Sequence, residues 1–326
     1  MVTENHKKIF VATYPFGVCD SKPKDILEEA SSVEIVYNSL GRRLKVGEVG
    51  KFLKGVHGVI AGTELYGENE LSQADSLEVI SRVGVGLDSI NFIACKKHNV
   101  GVTYTPEAPS DGVADLAVGQ MINLLRGIFI SNKLIRKNIW HRTMGRLLSE
   151  VKIGILGVGR IGKRVIKRLY GFGVEVFACD INPDLEFGKE YGVYWVSHEE
   201  LFRICDIVSV HIPLNEENIN CVNITDLTNM KEGSFIINTS RGPVVDENAL
   251  EFVLENKHLG GAALDVFNKE PYNGPLTKFE NIILTAHIGS SAHQSRYLME
   301  LGAATDCLNV LMGRKPDNPV PNEYWK

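Results

Sequence analysis

Short β-branched runs alternate with helical stretches along the first hundred residues. KIFVAT (8–13), VEIVY (33–37), HGVIAG (57–62), LEVISR (77–82) and VGVTY (100–104) read as strands. Between them DILEEA (25–30), VGEVGKFL (46–53) and NFIACKKH (91–98) read as helical, around an Asn/Glu/Leu-rich turn. Strands alternating with helices predict βαβ units and a parallel sheet. From residue 151 the alternation starts again. KIGIL, VEVFACD, DIVSVHI, GSFIINT, GAALDV and NIILTAH give six strand candidates, the number of a complete Rossmann sheet. Between the two blocks, 111–136 has apolar positions recurring at three and four, which predicts one long helix. After residue 290 a further helical segment is too long to cap the last strand, so it is expected to return and pack on the first block. The expectation is an α/β protein in which a Rossmann domain, 103–291, is inserted into a smaller flavodoxin-like α/β domain, 1–102 plus 292–326.

Composition changes this picture little. The chain has 326 residues, is 44% hydrophobic and 23% charged, and carries a formal net charge of −5. That charge argues against a general affinity for nucleic acid or an anionic membrane. No stretch approaches the ~18 consecutive apolar residues of a spanning helix, and the N-terminus lacks the apolar run of a signal peptide. The six cysteines form no CxxC pair, which suits a reducing cytoplasm. The nine histidines show no metal-ligand spacing, so no metal is expected.

The chemistry begins at VKIGILGVGRIGKRV (151–165), where Gly157, Gly159 and Gly162 have the spacing G-x-G-x-x-G. The motif follows a strand and opens a helix, the context it requires. Gly157 would make the tight turn, Gly159 would let the backbone approach a pyrophosphate, and Gly162 would let helix and strand pack. The helix N-terminus offers unsatisfied N–H groups to phosphates. The next strand ends at Asp180, where a carboxylate accepts from adenosine ribose hydroxyls and repels a 2′-phosphate. Ile181, Asn182 and Pro183 follow, with no cation to receive that phosphate. NAD (NADH) is therefore expected as cofactor.

Three later loops supply Arg241 in NTSRGPVVD, Glu270 in DVFNKEP and His287 in TAHIGS. Singly each has a plain structural reading; together they form an acid/base set. Reducing a 2-oxo acid takes a cation for the carboxylate, a proton donor for the oxygen, and a group that orients the donor. Arg provides a bidentate fork, His a proton exchangeable near neutrality, and Glu a carboxylate to hold the ring.

With these motifs in view, GILGVGRIG, VSVHIPL, INTSRGPVVDENAL, GAALDVFNKEP and TAHIG resemble the D-isomer-specific 2-hydroxyacid dehydrogenase family, in its phosphoglycerate dehydrogenase-like branch. The likeness runs from RVGVGLDSIN (82–91) to the final helix. It implies that Arg241 binds the substrate carboxylate and oxo group, that Glu270 holds His287, and that His287 is the acid/base. It also implies that Arg160 and Ile161 line the pyrophosphate and that Asp265 meets the nicotinamide amide. His211, Ile212, Pro213, Thr239, Ser240, Arg241, His287 and Gly289 flank the cofactor. Val83, Gly84, Val85 and Gly86 would present amides to the substrate carboxylate, with Val85 also near the nicotinamide and Arg82 serving an anionic tail. The implied partners are a small 2-oxo/2-hydroxy acid and a second copy of the chain in a homodimer built through 111–136.

Three positions depart from the family pattern. Ala286 replaces a usual Pro and Ser240 a common Ala. Ala61, with Glu64 nearby, stands where phosphoglycerate enzymes commonly place an Arg, which weakens 3-phosphoglycerate as substrate. An alternative of another class is an NADH-sensing, corepressor-type binding protein on the same fold. Formate or phosphite oxidation is a third possibility; Glu270 and His287 favour oxo-acid chemistry over formate.

Overall fold

The computed structural model describes residues 6–325. In chain order the elements begin with β1 (Lys7–Val11), α1 (Lys22–Glu28), β2 (Val33–Tyr37), β3 (Gly58–Ala61), α2 (Glu68–Leu71), β4 (Val79–Arg82), α3 (Phe92–Lys97) and β5 (Gly101–Thr103). There follow α4 (Ser110–Arg126), α5 (Ile128–Arg136), β6 (Lys152–Leu156), α6 (Arg160–Tyr170), β7 (Glu175–Cys179), α7 (Leu185–Tyr191), β8 (Val193–Trp195), α8 (His198–Ile204) and β9 (Ile207–Val210). The last are α9 (Ile224–Asn229), β10 (Phe235–Asn238), α10 (Glu247–Glu255), β11 (Gly261–Leu264), β12 (Ile282–Leu284) and α11 (His293–Leu311).

The chain divides into two compact units, residues 1–109 with 291–326, and residues 110–290. The first boundary therefore falls at 109/110, not at the expected 102/103. β5 pairs with β4 at Val79↔Gly101, and the loop beyond it stays with that sheet through Thr105, whose N–H donates to Gly84 O.

The first unit is a parallel sheet ordered β2-β1-β3-β4-β5. One face packs Phe10, Leu53, Val59, Leu71 and Ile80; the other packs Ile9, Val11, Ile60 and Val79 against α1 and α11. α11 lies so close that a Cβ on Gly58 would stand 2.6 Å from Cys307 Sγ. Burying apolar area at roughly 25 cal/mol per Å² makes α11 integral to this unit despite its distance in sequence. Asp306 of α11 fixes the tail by accepting from the N–H groups of Asp317 and Asn318. Residues 46–53 form only a 3-10 turn, Val49–Phe52, because Gly47 at φ 77° breaks the expected helix.

The second unit is a parallel sheet ordered β12-β11-β10-β9-β6-β7-β8. It has seven strands among the described residues, where six were expected. The additional one is β8, three residues paired at the edge with β7. Its alternation is too short to register in the sequence. The order reverses between β6 and β9, the switch point at which open α/β sheets bind ligands outside the carboxyl ends of their strands. Helices cover both faces, with Met121, Leu124, Ile153, Ile155 and Leu169 in one core and Leu201, Phe202, Val208, Leu250 and Val253 in the other.

The single helix expected over 111–136 is two helices bent by 62°. Gly127 causes the break: its φ of 57° lies in the left-handed region, where glycine is tolerated without strain. The chain then doubles back, and Arg146 N–H donates to Leu125 O at 3.1 Å. On α6, Arg168 and Arg164 pair with Asp111 of α4. Among the described residues no single helix is long and apolar enough to cross a membrane.

Candidate active site

Each glycine of the 157–162 loop has a separate geometric reason. Gly157 has φ 91°, and a Cβ there would lie 2.6 Å from Ile212 Cγ2 and 2.9 Å from His211 O. Gly162 is tighter still: its Cβ would meet Gly157 O at 2.1 Å. Gly159 is the opposite case. It caps α6, and nothing lies within 4 Å of where its Cβ would be, so a ligand can approach the backbone there. Arg160 is the exposed first residue of α6, and Ile161 is half-buried against the core. Asp180 locks the turn. Its Oδ2 accepts from Val158 N–H at 2.6 Å and its Oδ1 from Asn182 N–H at 2.8 Å. Each oxygen keeps a second lone pair for ribose hydroxyls.

His211 and Thr239 stand one residue past β9 and β10, which pair at Val210↔Asn238, so the two side by side follow neighbouring strands. His211 is half-buried, with Nε2 2.8 Å from Ser209 Oγ. Burial pushes its pKa down to about 4, so the ring is neutral at physiological pH. Its Nδ1 and the Thr239 Oγ1 are buried without a hydrogen-bond partner. Orphaned buried polar atoms are rare and call for a bound polar group. Two of them beside an open helix N-terminus and a ribose-type carboxylate fit a dinucleotide.

The loop after β10 is shaped by Asn238, which the motif reading passed over. Its Oδ1 accepts from Ser240 N–H and Oγ, and its Nδ2 donates to Arg241 O at 2.8 Å. Arg241 then donates from Nη1 to Ser240 O at 2.7 Å, which fixes the start of the guanidinium fork.

His287 and Glu270 meet directly, with Nδ1 to Oε2 at 2.9 Å and each side chain 38% exposed. Glu270 Oε1 accepts from Phe267 N–H. Burial pushes the Glu270 pKa up, but the hydrogen bond and charge of His287, the Phe267 N–H and the Arg241 charge outweigh it. The carboxyl therefore sits below its ordinary value, and Arg241 belongs to the same charge cluster. His287 holds a positive φ of 53°, uncommon for a non-glycine residue. Asp265 holds it there. Asp265 is 2% exposed; its Oδ1 accepts from Thr285 Oγ1 at 2.6 Å and Ile288 N–H at 2.8 Å, and its Oδ2 from Gly289 N–H at 2.7 Å. Its carbonyl also accepts from His287 N–H. Thr285 was not singled out in the sequence; a threonine two residues before the histidine was the available signal.

In the first unit, Arg82 ends β4 and donates to Val83 O. Gly84 has φ 141°, its N–H donates to Thr105 Oγ1 at 2.8 Å, and its O accepts from Thr105 N–H. Thr105, also missed, thus braces the 83–86 loop. Val83 and Gly84 are buried, and Val85 and Gly86 half-buried.

Comparison with known proteins agrees with this geometry. The family model for the D-isomer specific 2-hydroxyacid dehydrogenase NAD binding domain matches residues 118–289. A glyoxylate reductase of Thermofilum pendens is 37% identical over 273 residues, 78% of each chain. The chain belongs to the D-isomer specific 2-hydroxyacid dehydrogenases. A D-3-phosphoglycerate dehydrogenase of Synechocystis sp. is 33% identical over 249 residues, 76% of this chain but 45% of that one. The solved TT0316 protein from Thermus thermophilus matches 96% of this chain and 100% of its own, with TM-score 0.87 and 31% identity. This dehydrogenase uses NAD and interconverts a 2-oxo acid with its D-2-hydroxy acid. Among its described residues no group of three or more His, Cys, Asp or Glu could hold a metal ion.

Proposed function

We propose that this dehydrogenase reduces glyoxylate or a similarly short 2-oxo acid, with His287 as the acid/base, Glu270 as its anchor and Arg241 as the carboxylate clamp. The observation that carries this reading is the 2.9 Å contact between His287 Nδ1 and Glu270 Oε2 beside the Arg241 charge. NADH, when bound, supplies the hydride. Glu270 accepts from Nδ1–H and so selects the protonation pattern of the ring. In the imidazolium the proton to be delivered is then on Nε2. Arg241 presents parallel N–H donors that match a planar carboxylate. In oxidation the neutral ring takes the hydroxyl proton at the same nitrogen. A positioned acid/base of this kind contributes about 10²–10⁴-fold to the rate.

The choice of a short substrate draws on the likeness to archaeal glyoxylate reductases. The test is NADH oxidation by the purified protein against glyoxylate and hydroxypyruvate. Consumption of NADH with equimolar 2-hydroxy acid is expected. No oxidation with either acid would refute the reading.

We also infer a homodimer formed through α4, α5 and the arm that follows. In support, α5 buries none of its residues, and Trp140 and Met144 of the arm are 82% and 94% exposed. Sedimentation equilibrium should give twice the chain mass; a monomer at micromolar concentration would contradict it.

A further inference from the structure

The first sheet has its own switch point, between β1 and β3, where the strand order reverses. The loop after β1 brings Thr13 there and the loop after β3 brings Gly62 and Glu64. Glu64 is only 5% exposed, and its Oε2 accepts from Gly62 N–H at 2.6 Å. A Cβ on Gly62 would stand 2.8 Å from Glu64 Oε1 and 3.2 Å from Thr13 Oγ1, so both side chains flank one backbone point. β4 ends beside them, with Ala61 opposite Arg82 and Val83 N–H donating to Ala61 O at 2.9 Å. This is the start of the 83–86 loop.

Three cations reach this edge, Arg296, Arg82 and Arg43, and two carboxylates, Glu64 and Glu300, face them. Arg296 of α11 donates to Thr13 Oγ1, but its Nε is 2.5 Å from Glu300 Oε1, and Glu300 is 1% exposed. Arg82 is close enough for its charge to favour the ionised form of Glu64. Burial works the other way and is the larger influence, so the Glu64 carboxyl sits above its ordinary value. Tyr66, on the same loop, is fully buried with its hydroxyl lacking a hydrogen-bond partner, and it feels both Glu64 and Arg82. An orphaned buried hydroxyl calls for a polar partner at this edge. A second anion arriving here would meet the desolvated Glu64 carboxylate, while Arg296 is held by Glu300 and the charges of Arg82 and Arg43 already act on Glu64 itself.

We propose that Glu64 is a specificity-determining residue that denies this edge to a second anionic group on the substrate. The enzyme accordingly takes short 2-oxo acids with a neutral tail and rejects those carrying a phosphoryl group. This rests on the reading that a short 2-oxo acid is the substrate and is received by the 83–86 loop.

The test compares hydroxypyruvate with 3-phosphohydroxypyruvate, which differ only in the phosphoryl group, by kcat/KM with saturating NADH. The wild type should favour hydroxypyruvate by roughly a hundredfold, the scale of a close like-charge juxtaposition. Glu64→Gln, which keeps shape and an acceptor for Gly62 N–H, should narrow that ratio at least about tenfold. Glu64→Asp, which keeps the charge, should preserve the preference. A wild type that uses both acids equally overturns the proposal without any variant. So does a folded Glu64→Gln enzyme with an unchanged ratio. A wild type inactive on glyoxylate and hydroxypyruvate would instead sink the reading of the substrate itself.

Discussion

Replacing Asp265 with Asn should disable the enzyme by loosening the loop that carries His287. The buried carboxylate accepts three hydrogen bonds, from Thr285 Oγ1, Ile288 N–H and Gly289 N–H. An amide has one oxygen and one NH₂. Whichever way it is turned, the NH₂ faces a backbone N–H donor. The better orientation loses the Gly289 bond and leaves its N–H orphaned. A hydrogen bond to a charged group is worth about 1.5–3 kcal/mol, and leaving its buried donor orphaned puts the loss near the upper end, about 3 kcal/mol. The positive φ of His287 stores about 1–3 kcal/mol that the clamp no longer offsets. The ring is then free to leave its 2.9 Å contact with Glu270. Urea unfolding followed by circular dichroism reads the stability, and steady-state kinetics with glyoxylate and NADH reads the chemistry. Lower stability and a fall in kcat on the order of 10²-fold are expected. Should stability drop by under about 1 kcal/mol while only the KM for NADH rises, Asp265 would serve the cofactor alone, and the clamp argument is wrong.

Other perturbations reach other parts of the site. Gly162→Ala places a methyl 2.1 Å from Gly157 O and should cost about 1–3 kcal/mol with lost NADH affinity, read by fluorescence titration. Asp180→Ala removes the acceptor for Val158 N–H and the repulsion of a 2′-phosphate, so NADH should bind more weakly and the preference over NADPH should shrink in paired titrations. The Glu270 carboxyl lies below its ordinary 4.5, so its stabilisation is present above that pH and disappears as pH falls through the depressed value. Wild type should therefore exceed Glu270→Gln in melting temperature at neutral pH, and the gap should close on acidification; a constant gap would contradict the ion pair. Arg241→Lys should lose kcat/KM for the 2-oxo acid with little change in NADH binding, because a point charge cannot replace the planar fork.

The parts of the fold that were legible in the sequence are those with strong periodicity. The parallel strands buried on both faces announce themselves as apolar runs, and the glycine spacing marks where the second sheet begins. β8 is a three-residue edge strand, too short for its alternation to register. The break at Gly127 lies inside an unbroken apolar pattern, and only the backbone shows that this glycine turns left-handed. Arg241, Glu270 and His287 stand out as candidates in the sequence because each follows a strand on a different loop. What the sequence could not show is how those loops are held. The Asn238 hub, the Thr285 contact and the Asp265 clamp depend on side chains meeting across strand ends, a register known only once the sheet is built. Asp265 was expected to meet the nicotinamide amide; that its carboxylate also accepts from Thr285, Ile288 and Gly289 around His287 was not foreseeable.

The central claim concerns one proton on one ring, and His287→Asn measured beside the wild type tests it most directly. NADH affinity by fluorescence should stay within about twofold, while kcat/KM for glyoxylate should fall by about 10²–10⁴-fold. A variant that binds NADH normally and still turns over within about tenfold of the wild type would contradict His287 as the acid/base.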